Sequence, residues 1–361
     1  MKVFAAPAFS NEKVNPYNAL LYRELQQLGV TLEEYRHSKA LRHAADVAHF
    51  HWPDGDINRP SLLKSLQRML LLALAVSVIK MRGTKVVWTV HNTAPHDARR
   101  PRLSQIFMQW FARRCDGFIF MSEANRSAFY SRYQPSRSAS SAIIPHGHYR
   151  NAYPPAVDAA QAKKTLGLNP QKKVLLFVGM IKPYKNIDGL MQAFDEAKLE
   201  NYQLVIAGTA DSAPADLQAR LQAVNKPNTH VFLRFIPDEE LALLMSAADV
   251  VILPYKAILN SGALLLALSY NRPIIAPHRG AVAELQKILG EEWIQTYDSE
   301  LSPPVLALGL TALEQSTRPP VCPLDIFDWD KLAAKTLEFY CQLHDLPNTA
   351  ASSRITGASK L

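Results

Sequence analysis

The chain has 361 residues, of which 48 % are hydrophobic, so it is long enough for two domains with sizeable cores. Its three cysteines, Cys115, Cys322 and Cys341, lie far apart; this spacing excludes a cysteine-held metal site and favours a reducing, cytoplasmic compartment. The formal net charge of +8 is uneven, because residues 1–150 carry 21 Lys and Arg against 10 Asp and Glu, whereas residues 151–361 carry 19 against 22.

The basic first half indicates an anionic partner. No nucleic-acid-binding motif and no basic stripe interleaved with aromatic residues is present, so we expect no nucleic acid. An anionic membrane surface or a lipid-linked pyrophosphate suits the charge better. The chain runs from Met1-Lys2 directly into a predicted strand without a signal peptide, and its longest apolar run in a helical context, Met69–Ile79, is too short to span a bilayer.

Strands and helices alternate through the first half. Each strand is nearly continuous in apolar residues, which is typical of a buried parallel sheet. The strands are predicted at Lys2–Phe9, Val30–Tyr35, Asp46–Asp54, Lys85–Val90, Gly117–Met121 and Ala142–Pro145. Helices are predicted up to about Leu28 and at Ser61–Arg82, Leu103–Arg114 and Glu123–Tyr133.

Polar side chains recur where these strands end. In a doubly wound parallel sheet, ligands bind beyond the carboxyl ends of the strands, so this repetition predicts a cleft at that edge. The residues concerned are Glu12, His51, Trp52, Asp54, His91, Asn92, Ser122 and His146.

A second alternating half follows a proline-containing linker at 150–170. Its strands are predicted at Lys173–Ile181, Tyr202–Ala207, His230–Phe235, Val250–Leu253, Pro273–Ala276 and Trp293–Tyr297, and its helices near 187–198, 214–225, 238–247, 261–270, 281–289 and 302–315. The fold class is therefore α/β, with two facing Rossmann-like domains, each a doubly wound parallel sheet. We place the domains at 1–150 and 151–323, with a helix at 324–345 that returns to the first domain and a disordered tail at 346–361.

Two stretches of the second half are typical of phosphate binding. Asn260-Ser261-Gly262 opens a helix after the strand that ends at Pro254-Tyr255, and the unpaired N–H groups of a first helical turn favour an anion. Gly179 ends an earlier strand, and Lys182 and Lys185 follow it in a Pro-Tyr turn. Lysine ammonium groups stabilise a departing diphosphate. We expect both stretches to bind one diphosphate; an unliganded turn and two surface lysines are the plain alternatives.

This arrangement resembles the GT-B glycosyltransferases over about residues 1–345. The six-residue spacing from Gly179 to Lys185 and the stretch 249–277 carry the resemblance, and Lys185 matches the diphosphate lysine of the large retaining family with that fold. Met180 stands where that family has an arginine, and Lys182 takes over its charge. Both of the family's paired glutamates are absent, since their positions hold Ile258 and Leu266.

A closer similarity is to the inverting β-mannosyltransferases of xanthan-type exopolysaccharide assembly. It rests on matching stretches in the same order: 9–13 with 15–17, 49–53, 91–96, 146–150, 183–185 and 253–269. The resemblance implies transfer of mannose from GDP-mannose, with inversion, to a polyprenyl-diphosphate-linked oligosaccharide. It also implies a peripheral location on the inner face of the cytoplasmic membrane. No cofactor and no metal is required when lysines and helix N–H groups hold the diphosphate.

Direct inversion needs a general base for the acceptor hydroxyl. The first-half candidates are Asp54, Asp97, Glu12 and His91, of which one is expected to be the base and the others donor contacts or ordinary turn and surface residues. Asp54-Gly55-Asp56 imitates a metal-binding Asp-x-Asp motif, but after Pro53 it reads as a glycine-centred turn. We therefore predict no metal site.

The remaining candidates divide between the two substrates. Donor binding is predicted for Gly179, Lys182, Lys185, Tyr255, Asn260, Ser261 and Gly262. Acceptor binding is predicted for Asn15, Tyr17, His51, Trp52, His146 and His148, although the last two would serve equally as contacts between domains. The Leu-rich helix 61–82, with basic residues near its ends, is either a core helix or an interfacial one that lies on the membrane.

Three other functions remain open on the sequence alone. A retaining transferase with another nucleotide sugar has the same fold, and so does a sugar-nucleotide 2-epimerase, which needs no acceptor. The missing glutamates also leave room for a non-catalytic module that keeps the phosphate pocket for assembly or regulation.

Overall fold

The structure is a computed structural model that describes residues 1–93, 99–211, 213–257 and 262–345, with only the backbone of Asp56. It comprises two compact units. The first consists of Met1–Gly147 together with the chain from Phe327 onward, and the second of His148–Ile326.

Twelve strands are formed by the described residues. The first unit contains β1 (Lys2–Ala6), β2 (Thr31–Glu34), β3 (Val47–Phe50), β4 (Lys85–Thr89), β5 (Gly117–Phe120) and β6 (Ser140–Ile143). The second contains β7 (Lys173–Val178), β8 (Tyr202–Ala207), β9 (Thr229–Phe232), β10 (Val250–Ile252), β11 (Ile274–Pro277) and β12 (Ile294–Tyr297).

Thirteen α-helices connect these strands within the described ranges. Those of the first half are α1 (Tyr17–Gln27), α2 (His37–Arg42), α3 (Leu62–Met81), α4 (Pro101–Arg114) and α5 (Glu123–Arg132). The others are α6 (Ala159–Thr165), α7 (Ile187–Glu196), α8 (Ala215–Gln222), α9 (Asp238–Ala247), α10 (Gly262–Ser269), α11 (Ala281–Leu289), α12 (Pro303–Gln315) and α13 (Trp329–Gln342).

Each unit is built on one six-stranded parallel sheet, which confirms the predicted α/β fold. The first sheet has the order β2-β1-β3-β4-β5-β6, so the winding direction reverses between β1 and β3. The second has the order β12-β11-β10-β7-β8-β9 and reverses between β7 and β10. Because loops diverge to opposite faces at such a switch point, it is where a ligand site forms in doubly wound sheets.

The last helix completes the core of the first unit. α13 packs on α1, and its Leu337 and Tyr340 are buried with Tyr22 of α1. Trp329, at the start of α13, lies so close to Gly147 that a β-carbon on this glycine would be 2.4 Å from the indole ring. A side chain at position 147 would therefore force the helix away.

Helix α3 confirms the helix predicted at 61–82 and extends the apolar run Met69–Ile79 at both ends. It has 20 residues and contains an 18-residue window with a mean hydropathy of 1.8, which meets the length and composition of a membrane span. The basic residues Lys64 and Arg68 do not interrupt the helix, because lysine and arginine are good helix formers. One face of α3, with Leu72, Val76 and others, is buried in the core of the first unit.

Helix α2 was not predicted, because six residues carry no clear helical periodicity. Several predicted strands end earlier in the structure; the first stops at Ala6 rather than Phe9, because Pro7 has no N–H to donate to a neighbouring strand.

Candidate functional site

The loop after β7 brings a lysine against the end of its own strand. Gly179 has φ of 133°, a backbone conformation that favours glycine, and a β-carbon built on it would lie 3.1 Å from the Lys185 Nζ. Gly208, after β8, has φ of 144° and lies against the Gly179 carbonyl, which a β-carbon would approach to 2.1 Å. The two glycines thus allow the backbone and the ammonium group to share one small space.

Lys185 is held there by aromatic rings. Its Nζ lies 5.6 Å from the ring centroid of Phe177 and 5.2 Å from that of Tyr255, within the range of a cation–π interaction. Burial and the neighbouring charge of Lys182 lower the pKa of Lys185 to about 8. A buried cation beside a second cation is a site that an anion stabilises.

The two predicted donor stretches are tied together at their base. The backbone N–H of Lys256, next to Tyr255, donates to the Tyr184 carbonyl at 2.8 Å, and the rings of Tyr184 and Tyr255 meet edge to face. These loops follow β7 and β10, the strands on either side of the second switch point. Gly262 begins α10, whereas the other two candidates of that stretch, Asn260 and Ser261, lie outside the described residues.

A chain of hydrogen-bonding distances runs through buried side chains of the first unit. The Tyr22 hydroxyl lies 3.0 Å from His49 Nδ1 and 2.7 Å from His51 Nε2. His51 Nδ1 is 2.9 Å from His91 Nε2. From the other end, the Tyr340 hydroxyl lies 2.6 Å from the same His49 Nδ1. These contacts link side chains of α13, β3 and α1 to His51, just after β3, and to His91, just after β4.

Aromatic rings enclose this chain. Trp52 stacks on His91 with ring centroids 4.3 Å apart and an angle of 21° between the rings. The Tyr17 ring, itself buried, makes edge contacts with His91 at 4.9 Å and with His146 at 4.8 Å. The structure therefore brings together His51, Trp52, His91, His146 and Tyr17, all of which were predicted site residues.

Burial keeps these histidines neutral. It lowers the pKa of His49 to about 3 and that of His146 to about 4, and the pKa values of His51 and His91 also lie well below the ordinary value of 6.5. Burial raises the pKa of Tyr22 and Tyr340 well above the ordinary value. At neutral pH these histidine and tyrosine side chains thus carry no charge.

The other predicted residues of the first half are placed separately. The carboxylate of Glu12 pairs with Arg23 at 2.7 Å on the surface, and the side-chain oxygen of Asn15 accepts from the Tyr17 N–H at the start of α1. Asp54 lies in a short 3₁₀ turn, Pro53–Asp56, and lines a small pocket that Trp52 also lines.

The last two predicted residues of the first half, Asp97 and His148, lie elsewhere. Asp97 lies outside the described residues. His148 belongs to the second unit, where its ring Nδ1 accepts from the Arg150 N–H at 3.2 Å.

Comparison with known proteins identifies the second unit. Residues 158–287 match the family described as "Glycosyl transferases group 1". This region contains Gly179, Lys182, Lys185 and Tyr255. The chain carries a group 1 glycosyltransferase domain.

Relatives extend the likeness beyond the matched domain. A protein of Xanthomonas campestris pv. campestris named GDP-mannose:glycolipid 4-beta-D-mannosyltransferase is 29 % identical over 328 residues, covering 90 % of this chain and 88 % of its own length. A D-inositol 3-phosphate glycosyltransferase of Mycobacterium sp. is 27 % identical over 237 residues, covering 62 % of this chain and 53 % of its own length. The Anabaena protein HepE, solved with UDP-glucose, has a TM-score of 0.61 at 16 % identity and covers 98 % of this chain and 99 % of its own.

The chain thus has the GT-B fold, as predicted, and a glycosyltransferase domain of group 1 within its second unit. Two of the three positions that depart from the pattern of the retaining family lie within the described residues. Met180, in place of the arginine, is 57 % exposed, and Leu266, in place of a glutamate, is buried in α10. Ile258, the other replaced position, lies outside the described residues.

The sequence did not single out His49, Tyr22 and Tyr340 of the transferase as site residues. His49 lies in β3 and His51 directly after its end, and since alternate residues of an extended segment share a face, that spacing was the available signal. Tyr340 lies 291 positions from His49, so no local pattern reveals their contact. Within the described ranges, no group of three or more His, Cys, Asp or Glu side chains has the arrangement of a metal site.

Proposed function

We propose that this transferase moves mannose from GDP-mannose to a saccharide linked to a polyprenyl diphosphate. The observation that carries the proposal is the half-buried Lys185, whose ammonium group lies against aromatic rings and whose pKa burial and the charge of Lys182 lower to about 8, at the switch point of the second unit and within residues 158–287. A nucleotide diphosphate supplies the negative charge that this site lacks. The printed name of the Xanthomonas relative supports GDP-mannose as donor and a glycolipid as acceptor.

In the proposed reaction the acceptor oxygen attacks the anomeric carbon and gives its proton to a base of the first unit. The bond from that carbon to the diphosphate oxygen breaks, and its electron pair leaves with GDP. Lys185 and Lys182 stabilise the charge that develops on the diphosphate. The absence of both family glutamates and the similarity to β-mannosyltransferases favour inversion. We propose Asp54 as the base, because its carboxylate lines the same pocket as Trp52.

The first unit offers a surface suited to a membrane. The face of α3 that is turned away from the core is apolar, which is unusual for a helix exposed to water. Its exposed side chains include Leu62, Leu63, Leu66, Leu70, Leu71, Leu74 and Met81. Ile106 of the neighbouring α4 adds a further apolar side chain that is 70 % exposed.

Basic residues flank this apolar face. Neither α3 nor α4 contains an acidic residue, and their exposed basic side chains are Lys64, Arg68, Arg102, Arg113 and Arg114. A helix that buries an apolar face and shows basic flanks is typical of interfacial binding, and each basic residue near an anionic bilayer contributes about 1 kcal/mol. We propose that the transferase lies on the inner face of the cytoplasmic membrane through α3 and α4.

A donor panel tests the reaction. The purified chain is incubated with GDP-mannose, UDP-glucose or ADP-glucose, with and without a polyprenyl-diphosphate oligosaccharide, and nucleotide release is measured. We expect acceptor-dependent release of GDP, and proton NMR of the first product should show a β-anomer. Turnover of UDP-glucose alone would contradict the donor assignment, an α-anomer would contradict inversion, and acceptor-free interconversion would indicate an epimerase.

Vesicle flotation tests the membrane surface. The chain should bind vesicles of phosphatidylcholine with phosphatidylglycerol about tenfold more tightly than phosphatidylcholine alone. The triple variant Leu66→Gln/Leu70→Gln/Leu74→Gln should lose this binding, whereas Leu308→Gln, an equally exposed leucine on α12 of the second unit, should not. Equal binding by the triple variant would refute the assignment.

A further inference from the structure

Two arginines lie in the loops that follow the strands of the second sheet, and they differ in how their charge is neutralised. Arg234 comes after β9, and its guanidinium pairs through both terminal nitrogens with the carboxylate of Glu240. Arg279 comes after β11 and is exposed. Among the described residues its guanidinium makes one hydrogen bond, from Nη1 to the Lys256 carbonyl at 2.8 Å. Arg279 is therefore a cation that is held in place but not neutralised.

A tight turn fixes the backbone of Arg279 just beyond its strand. The Arg279 N–H donates to the Pro277 carbonyl at 2.8 Å, and the preceding N–H, that of His278, donates to the Tyr297 carbonyl at 2.8 Å. Gly280, the next residue, has φ of 57°, a conformation that favours glycine, and α11 begins directly after it. The backbone thus holds Arg279 at the carboxyl edge of the sheet, where doubly wound domains bind their ligands.

A series of contacts connects Arg279 with Lys185. The carbonyl of Lys256 accepts from Arg279, and the N–H of the same residue donates to the Tyr184 carbonyl at 2.8 Å. Tyr255, the residue before Lys256, has its ring centroid 5.2 Å from Lys185 Nζ. The loops after β7, β10 and β11 are therefore joined, and β10 is the one strand between β7 and β11 in the sheet.

The spacing of these strands suits a diphosphate. Adjacent strands of a sheet lie about 4.8 Å apart, so the ends of β7 and β11 are about 10 Å from each other. Lysine and arginine have long side chains, so Lys185 and Arg279 can reach opposite ends of one diphosphate above β10. The three loops, 179–186, 253–261 and 278–280, contain no acidic residue, and their basic residues other than histidine are Lys182, Lys185, Lys256 and Arg279.

The negative charge on the diphosphate increases during the proposed reaction. The diphosphate of GDP-mannose is a dianion, and Lys182 and Lys185 supply two cations for it. When the bond between the anomeric carbon and the diphosphate oxygen breaks, its electron pair stays on that oxygen, while the acceptor proton passes to the base. GDP therefore leaves with one further negative charge. A third cation that meets this charge stabilises the transition state more than the bound donor, and so accelerates the reaction.

We propose that Arg279 binds the sugar-bearing phosphate of the donor and stabilises the charge that develops on its oxygen as GDP departs. The inference deepens the proposed transferase function and rests on it. Arg279 supplies a guanidinium to a site whose β7 loop has none, since Met180 stands where the retaining family has an arginine. A guanidinium presents several N–H groups in one plane, which matches the oxygens of a phosphate, and Nη1 is already fixed on the Lys256 carbonyl.

Calorimetric titration with GDP, GDP-mannose and inorganic pyrophosphate tests the role. Arg279→Gln should weaken GDP and pyrophosphate roughly 100-fold but GDP-mannose only roughly tenfold, because the missing cation matters most to the ligand with the further negative charge. Arg279→Lys keeps the charge and should restore most of the preference for GDP. Arg234→Gln is the matched control: the same change at the same edge of the sheet, but at a charge that Glu240 already neutralises, should leave the ratio of the two nucleotide affinities unchanged.

A purely structural role of Arg279 predicts a different result. Loss of its bond to the Lys256 carbonyl would then lower the melting temperature and weaken GDP and GDP-mannose equally, and Arg279→Lys would not restore the preference for GDP. Equal weakening would overturn the proposal. Lys256→Gln examines the other exposed cation of these loops. If that change reduced the preference for GDP more than Arg279→Gln does, the assignment to Arg279 would likewise be wrong.

Turnover separates this inference from the proposed function. In a single turnover with GDP-mannose and acceptor, Arg279→Gln should be about 10²-fold slower than the wild type, and Arg234→Gln should be within about twofold of it. If the wild-type chain used UDP-glucose in place of GDP-mannose, the donor assignment would fail, whereas the affinities of the variants for UDP and UDP-glucose would still decide the role of Arg279.

Discussion

The two units place very different chemistry at equivalent points of the same topology. At the switch point of the second unit, glycines leave space around a lysine whose charge is only partly neutralised by aromatic rings. At that of the first unit, histidines, tyrosines and Trp52 fill the space and carry no charge. The same topology supplies the location in both units, and the side chains decide whether that location attracts an anion or stays uncharged.

The largest difference between the two units should be in their stability at acid pH. His49, His51, His91 and His146 have folded pKa values below the ordinary 6.5, so the unfolded chain binds protons that the folded chain does not. Their full contribution to stability is present above about pH 6.5 and is lost as the pH falls toward about 4 and 3 for His146 and His49. Each of these histidines can lower the free energy of unfolding by up to about 1.4 kcal/mol per pH unit.

Hydrogen exchange at pH 7 and pH 5.5, corrected for intrinsic rates, checks this expectation. Protection of β1, β3 and β4 should fall more than that of β7 and β8, which serve as the internal reference. His146→Gln should reduce this difference in protection, because unfolding of the variant takes up at most one proton fewer in acid. Equal loss in both units would show that the histidine chain does not set the acid limit.

Removing the charge of the donor site should have the next largest effect. Lys185→Met keeps the apolar stem, and loss of the ammonium group should lower turnover by about 10²- to 10³-fold. The same variant should unfold at a higher temperature without ligand, since it removes a buried, poorly neutralised cation. Lys164→Ala, an exposed lysine on α6, is the control for both measurements. Turnover within fivefold of the wild type would contradict the assignment.

The glycine contact sharpens the comparison at the level of the backbone. Gly208→Ala places a β-carbon 2.1 Å from the Gly179 carbonyl and should cost about 2–3 kcal/mol of unfolding free energy, with weaker GDP binding. Gly167→Ala also has positive φ, of 68°, but meets nothing within 4 Å, so it should cost about 1 kcal/mol. Chemical denaturation and GDP titration measure both; equal costs would mean that close approach is unimportant.

The smallest expected effect is the uptake of a fraction of a proton when GDP binds. Because the pKa of Lys185 is about 8 in the free site, binding of a diphosphate should raise it, and near pH 8 GDP binding should take up roughly half a proton. Calorimetry in buffers with different ionisation enthalpies measures this uptake. Lys185→Met should abolish it, and an uptake that persists would assign the proton to another group.

Local patterns were enough to place four predicted donor residues just beyond the ends of β7 and β10. Gly179, Lys182 and Lys185 lie within seven residues, and Tyr255 follows a short apolar strand, so sequence spacing placed them at strand ends before any packing was known. The same reasoning placed α3, since a helix was predicted at 61–82 and the structure has Leu62–Met81, with Lys64 and Arg68 inside it.

The sequence by itself determined the alternating β/α order, and with it two parallel sheets, because short apolar strands that alternate with helices have few other solutions. It also placed polar residues at the strand ends. Only the tertiary structure decided that the Tyr340 hydroxyl meets His49 and that Tyr22, His51 and His91 continue the same series of contacts. Such contacts depend on distances of about 3 Å between atoms far apart in the chain, and no local pattern encodes those distances.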